Sequence, residues 1–133
     1  MKGHDVRALA ATIIARVVKA DGSLSSHLDQ YKSLSDSALL QELCFGCCRW
    51  YFQIDAICNC FLSSPLKDKD LNLKCLLLVG IYQLRFLRIP DHAAINETVS
   101  ATTSLKKPWA KSLVNGVLRQ SLRRKDEVEA ELS

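Results

Sequence analysis

No stretch of the chain is both long and apolar: the longest greasy run, Cys75 to Leu84, has ten residues, about half of what a bilayer span needs. The N-terminus, Met-Lys-Gly-His-Asp, does not lead into an apolar core followed by a small-residue cleavage site, so no secretory signal is read there. Glycine is sparse, and Gly3, Gly22, Gly46, Gly80 and Gly116 are isolated, which excludes a glycine-rich nucleotide loop. Sustained period-two alternation is missing, which argues against strands. Histidine is scarce too. His4, His27 and His92 lie near expected helix starts, outside any evident His-Asp or His-Asn motif, and surface positions explain them more simply than catalysis. These absences point to a soluble, cytosolic, all-α protein without a nucleotide site of its own.

At 133 residues and 48% hydrophobic content, the chain is one domain that can bury roughly two-thirds of its unfolded surface, so neither metal nor disulfide is needed for stability. Its net charge of +4 conceals an asymmetry. Asp126 to Ser133 holds four acids and no base, which leaves residues 1–125 at +8. The densest basic run, Lys106 to Lys125, has seven bases and no acid. Such an imbalance favours a polyanionic partner, the alternative being a merely solvated helix face.

Apolar periodicity sets out the elements. Val6, Leu9, Ala10, Ile13, Val17 and Ala20 recur at helical spacing after Asp5, with Gly22 placed as a left-handed terminator. Ser23 or Ser25 caps a short second helix, to Lys32. Ser35 or Asp36 then opens the longest element, expected to run unbroken to about Leu62 and to cross the whole domain, about 40 Å at the helical rise. Asp68 or Asp70 starts a helix to about Phe86, apolar on nearly every side and therefore expected at the centre. Pro90 and Asp91 begin another, to about Ser104, with Asp91 as its cap, and Pro108 opens the last, to about Arg124.

Six cysteines invite a metal reading, because Cys44 and Cys47 form a Cys-x-x-Cys pair and Cys58 and Cys60 follow. On one continuous helix, however, the two groups would stand about 15 Å apart and residues two apart would diverge by about 200°. Free buried thiols are the better reading. In the last helix Lys111, Asn115, Arg119 and Arg123 recur every four residues and line one face, a stripe suited to phosphate contacts. Asn115 is read as bonding a neighbouring helix, and Gly116 as marking a close helix approach, since it costs about 1 kcal/mol of helix propensity. Asn96 and Glu97 sit beside the packing face made by Ala94, Ile95, Thr98, Val99 and Thr102, and are read as a buried, structural polar pair.

With these segments in view, the chain resembles the NusB-like RNA-binding family, most nearly the N-terminal NusB-like domain of bacterial 16S rRNA cytosine-5 methyltransferases. The resemblance rests on Arg7-Ala8, on Ser23-Leu24-Ser25 after Gly22, and on Leu43 to Arg49 with its Phe-Gly and arginine. It rests further on Gly-Ile-Tyr-Gln-Leu within Leu76 to Leu84, on Ile89 to Val99 (Ile-Pro-Asp-His-Ala-Ala-Ile-Asn-Glu-Thr-Val), and on Leu113 to Arg119 (Leu-Val-Asn-Gly-Val-Leu-Arg). Pro90, Asp91, Asn96, Glu97, Asn115 and Gly116 are its architectural signature. The resemblance implies a compact, 16S rRNA-binding bundle of about six to seven helices with a long central one, and the basic pattern of the chain assigns the expected backbone contacts to Lys2, Arg7, Lys106, Lys107, Lys111, Arg119, Arg123 and Arg124. It also implies a parent enzyme whose separate Rossmann-like domain binds S-adenosylmethionine. The nucleophile of that domain is a cysteine, and there one important cysteine follows a proline and another a threonine, as none of the six cysteines here does. The expected organisation is a domain over residues 1–125 and an acidic linker, 126–133, toward that catalytic domain. The alternatives are a complete antitermination factor, which binds a transcript and a ribosomal protein, and a helical protein-interaction module.

Overall fold

The computed structural model describes residues 2–127, with His4 described in its backbone alone; most of the stretch expected to form an acidic linker lies outside the described residues. In chain order the helices are α1 (Gly3–Val18), α2 (Leu24–Asp29), α3 (Ser37–Arg49), α4 (Tyr51–Asn59), α5 (Leu71–Phe86), α6 (Asp91–Ser104) and α7 (Lys111–Arg123). Short 3-10 turns, Asp68–Asp70 and Pro108–Ala110, lead into α5 and α7. The described residues contain no strand, and the class is all-α as expected.

The apolar character of α5 on every side is matched by its place: α1, α3, α4, α6 and α7 all pack against it. Leu73, Leu76, Leu77, Leu78, Val79 and Ile81 are fully buried. Each such side chain contributes about 1.5–3 kcal/mol through burial, so α5 is the main source of cohesion. Close approach is bought with glycine at two points. A Cβ on Gly46 of α3 would collide with the Tyr82 ring, and one on Gly80 would lie 2.6 Å from Leu118 of α7. Gly116 has no such role: a Cβ there would meet nothing within 4 Å, so the expected close approach at that position is wrong.

The element expected to run unbroken through residues 36–62 is two helices. Trp50 takes φ −105° and ψ 22°, ending α3 and starting α4. No proline or glycine marks the break. Its driving force is tertiary: the indole stacks on Phe86 at 5.5 Å, and the bend lets both α3 and α4 lie on α5. The central helix is α5, as expected from its apolar faces.

Helix ends differ in detail. α1 stops at Val18, with Ala20 left-handed at φ 59° and the Asp21 and Ala20 amides donating to the Arg16 and Val17 carbonyls, a Schellman closure completed before Gly22 is reached. The same closure ends α6, with Lys106 at φ 62° and the Lys107 and Lys106 amides donating to the Thr102 and Thr103 carbonyls. Ser23 caps α2 as expected, its Oγ accepting from the Ser26 amide. Asp91 does not cap α6 through its side chain. Pro90 holds the cap position and Asp91 lies in the first turn, where its charge favours the helix N-terminus. His27 is buried against the Asp21 carbonyl rather than on the surface.

Candidate nucleic-acid interface

Cations divide into those the fold consumes and those it leaves to solvent. Arg7 belongs to the first group and is only 4% exposed. Its Nε donates to Gln83 Oε1 at 2.8 Å and its Nη1 to the Gly3 carbonyl at 2.9 Å. Gln83 in turn donates to the Val79 carbonyl and to Thr98 Oγ1, and that hydroxyl donates to the Ala94 carbonyl at 2.7 Å. The network ties α1, α5 and α6 together with each buried polar group satisfied. Burial pushes the Arg7 guanidinium below its ordinary pKa, opposed by the charges of Glu97 and Asp36.

Lys107 is likewise consumed. Its Nζ lies 2.9 Å from Asp70 Oδ1, 2.6 Å from Asn72 Oδ1 and 3.0 Å from the Lys69 carbonyl, which uses all three ammonium protons. Arg7 and Lys107 are therefore structural, and their assignment to a phosphate surface is corrected. Within the signature stretch, Asn96 is exposed, so the expected buried pair is not formed; Thr98 is the buried polar residue there. Glu97 is half-buried against the first turn of α1, where a Cβ on Gly3 would stand 2.6 Å from its Oε2.

The other predicted cations remain outside. Lys2, Lys106, Lys111, Arg119 and Arg123 are exposed, and among the described residues Lys106, Lys111 and Arg123 make no ion pair. Arg119 Nε donates to Asn115 Oδ1 at 2.9 Å, one turn earlier, which holds the guanidinium along the α7 face. Asn115 thus orients a donor on its own helix rather than bonding a neighbouring one. Arg124 is placed over the Phe61 ring at 5.6 Å while its Nε donates to Glu127.

A NusB family model matches residues 4–123. The chain belongs to the NusB family. It is 44% identical over 124 residues to a probable ribosomal RNA small subunit methyltransferase B of Coxiella burnetii, a match spanning 93% of this chain and 28% of that protein. The ribosomal RNA small subunit methyltransferase B of Escherichia coli O1:K1 is 44% identical over 135 residues, spanning 99% of this chain and 32% of the relative. That of Shigella flexneri is 43% identical over the same length, with the same shares. The NusB chain accordingly spans less than a third of the relatives it matches, in their N-terminal part.

Two features of this NusB domain go beyond the predicted site residues. Trp109 is 62% exposed on the Pro108–Ala110 turn, between Lys106 and Lys111. Its signal was the interleaved Lys-Lys-Pro-Trp-Ala-Lys, an aromatic set among bases. The second is a cleft of about 200 Å³ lined by Thr12, Ala15, Arg16, Lys19, Lys69 and Asn72. Because Lys107 binds the Lys69 carbonyl and the Asn72 side chain, it anchors the Lys106–Lys111 segment beside this basic cleft. Only the fold brings residues 16, 19 and 69 together.

The cysteines carry no comparable chemistry. Cys44, Cys47, Cys58 and Cys75 are buried and free, and desolvation pushes the thiols of Cys44, Cys58 and Cys75 up to about 12. Protonated thiols are poor nucleophiles and poor metal ligands. The break at Trp50 removes the continuous helix on which the spacing argument against zinc relied; among the described residues no three His, Cys, Asp or Glu side chains are grouped so as to hold a metal ion. Among the described residues no helix is long and apolar enough to cross a membrane.

Proposed function

We propose that this domain seats ribosomal RNA for a small-subunit rRNA cytosine-5 methyltransferase acting in the cytoplasm, by gripping the backbone of 16S rRNA. The observation that carries the reading is the set of exposed cations without an ion-pair partner among the described residues, Lys106, Lys111 and Arg123, joined by Arg119 on α7 and flanked by the exposed Trp109. Contacts of this kind confer salt-dependent affinity and position a polyanion without reading its sequence, while an indole supplies a stacking face for an unpaired base. Methyl transfer itself belongs to the remainder of the parent chain. The isolated glycines here do not suit a nucleotide cradle, so S-adenosylmethionine is assigned to that remainder, with which this domain would dock, and no chemical step runs through these residues.

Filter binding of 16S rRNA fragments at several salt concentrations tests the reading. Lys111→Ala and Arg119→Ala are each expected to weaken binding and to lower the salt slope by roughly one. Absence of RNA affinity, or affinity indifferent to both changes, overturns it.

A further inference from the structure

At the end of α5 remote from the Lys107 anchor, three aromatic rings form a column. Tyr82 stacks on Phe86 at a centroid distance of 5.1 Å, and Phe86 on Trp50 at 5.5 Å, with interplanar angles of 24° and 16°. The Arg49 guanidinium lies over the Trp50 ring at 5.4 Å. Tyr82 is buried, but Trp50 is 38% and Phe86 41% exposed. Contiguous apolar surface left exposed marks an interaction site where scattered single residues would not, and here two adjoining rings are held in fixed register. From Asn72 to Phe86 the axis of α5 is about 20 Å long, so the column is a separate contact from the Lys106–Lys111 segment.

Charge decides the kind of partner. Among the described residues Arg49 makes no hydrogen bond or ion pair, so the guanidinium over Trp50 keeps its N–H groups for an anion. Arg88, two residues past Phe86, is also exposed and free of an ion pair among the described residues. The one acid bonded to the column, Glu42, is engaged by the Tyr82 hydroxyl at 3.0 Å. A fixed ring stack edged by unneutralised arginines fits a ligand that is at once planar and anionic. We infer that Trp50, the outer ring of the column backed by Phe86, is a second RNA contact: an unpaired base stacks on the face of Trp50 turned away from Phe86 once Arg49 swings off that ring, and Arg49 and Arg88 hold the flanking phosphates. The inference rests on the RNA-binding reading above and adds a single-stranded preference to it.

The chain has two tryptophans, so Trp109→Phe leaves Trp50 as the sole indole and Trp50→Phe leaves Trp109. Each single-tryptophan protein is titrated with a short oligouridine and, separately, with heparin, a polyanion without bases. Oligouridine is expected to quench Trp50 fluorescence and heparin to leave it unchanged. Arg49→Gln and Phe86→Leu, checked for helicity by circular dichroism, should each weaken oligouridine binding about tenfold. If oligouridine binds and responds to Lys111→Ala while Trp50 stays silent, the platform is refuted and the domain's RNA role stands. If no RNA binds, both fall. Equal quenching by heparin shows a response to charge alone, and a Trp50 signal that follows protein concentration marks a contact between copies of the chain; either overturns the platform.

Discussion

Replacing Lys107 with Met separates the architectural reading of this residue from the phosphate-binding one, because the two predict effects on different measurements. Lys107 Nζ is the cation paired with Asp70, a buried residue, and it also donates to Asn72 and to the Lys69 carbonyl. Methionine preserves the stem but leaves the Asp70 carboxylate buried without its counter-charge. Breaking a buried pair by deleting one partner costs about 3–5 kcal/mol, and the partial exposure of this pair, 18% at Lys107 and 10% at Asp70, places the expectation near the lower figure. A chain of this size has an unfolding entropy near 0.3 kcal/mol/K, so a loss of about 3 kcal/mol lowers Tm by roughly 10 °C. Urea unfolding and calorimetry measure the effect directly. Adding Asp70→Asn to Lys107→Met should recover much of the loss, since the orphaned charge is then gone. A Lys107→Met protein within about 0.5 kcal/mol of the parent, but with weakened RNA binding, would refute the reasoning and return Lys107 to the surface set.

Three further outcomes follow from the geometry. Gly116→Ala, where a Cβ meets nothing, should stabilise the domain by about 1 kcal/mol through helix propensity, and a destabilisation in urea would expose a contact the structure does not show. Lys106→Gly should raise the unfolding free energy measured in urea by about 0.5–1 kcal/mol by relieving the left-handed conformation at φ 62°, while lowering RNA affinity; RNA affinity unchanged would remove Lys106 from the interface. Alkali should destabilise the fold. The buried thiols of Cys44, Cys58 and Cys75 stay neutral up to about 12, whereas the unfolded chain loses those protons near 9.0, so stability is full below pH 9.0 and declines above it toward 12. Each thiol contributes a slope of about 1.4 kcal/mol per pH unit there, and a urea midpoint equal at pH 8 and 10 would contradict the burial.

What could be read from the sequence followed from how local each cause is. α5 was legible because a helix apolar on all sides has nowhere to lie but the centre, and the start of α6 because Pro90 and Asp91 punctuate the chain. The break at Trp50 was not, because its cause is a ring 36 residues away rather than a helix breaker. Gly116 was misread for a related reason. Spacing places a glycine on a helix face, but only the neighbouring helix decides whether its missing Cβ matters, and it matters at Gly46 and Gly80.

The candidate site follows the same division with a sharper consequence. A basic residue in a basic run looks like a ligand group until its partner is known, and the partners here are distant: Gln83 is 76 residues from Arg7, and Asn72 is 35 from Lys107. Once those two are spent on the fold, the exposed donors are fewer, yet they are better placed. Lys107, by fastening its segment to the start of α5, fixes Lys106 and Trp109 beside the cleft that holds Arg16, Lys19 and Lys69. A cation removed from the proposed binding surface thereby sets the position of that surface. Loss of Lys107 should for this reason weaken RNA binding only to the extent that it loosens the 106–111 segment, whereas loss of Lys111 or Arg119 should weaken it with the fold intact.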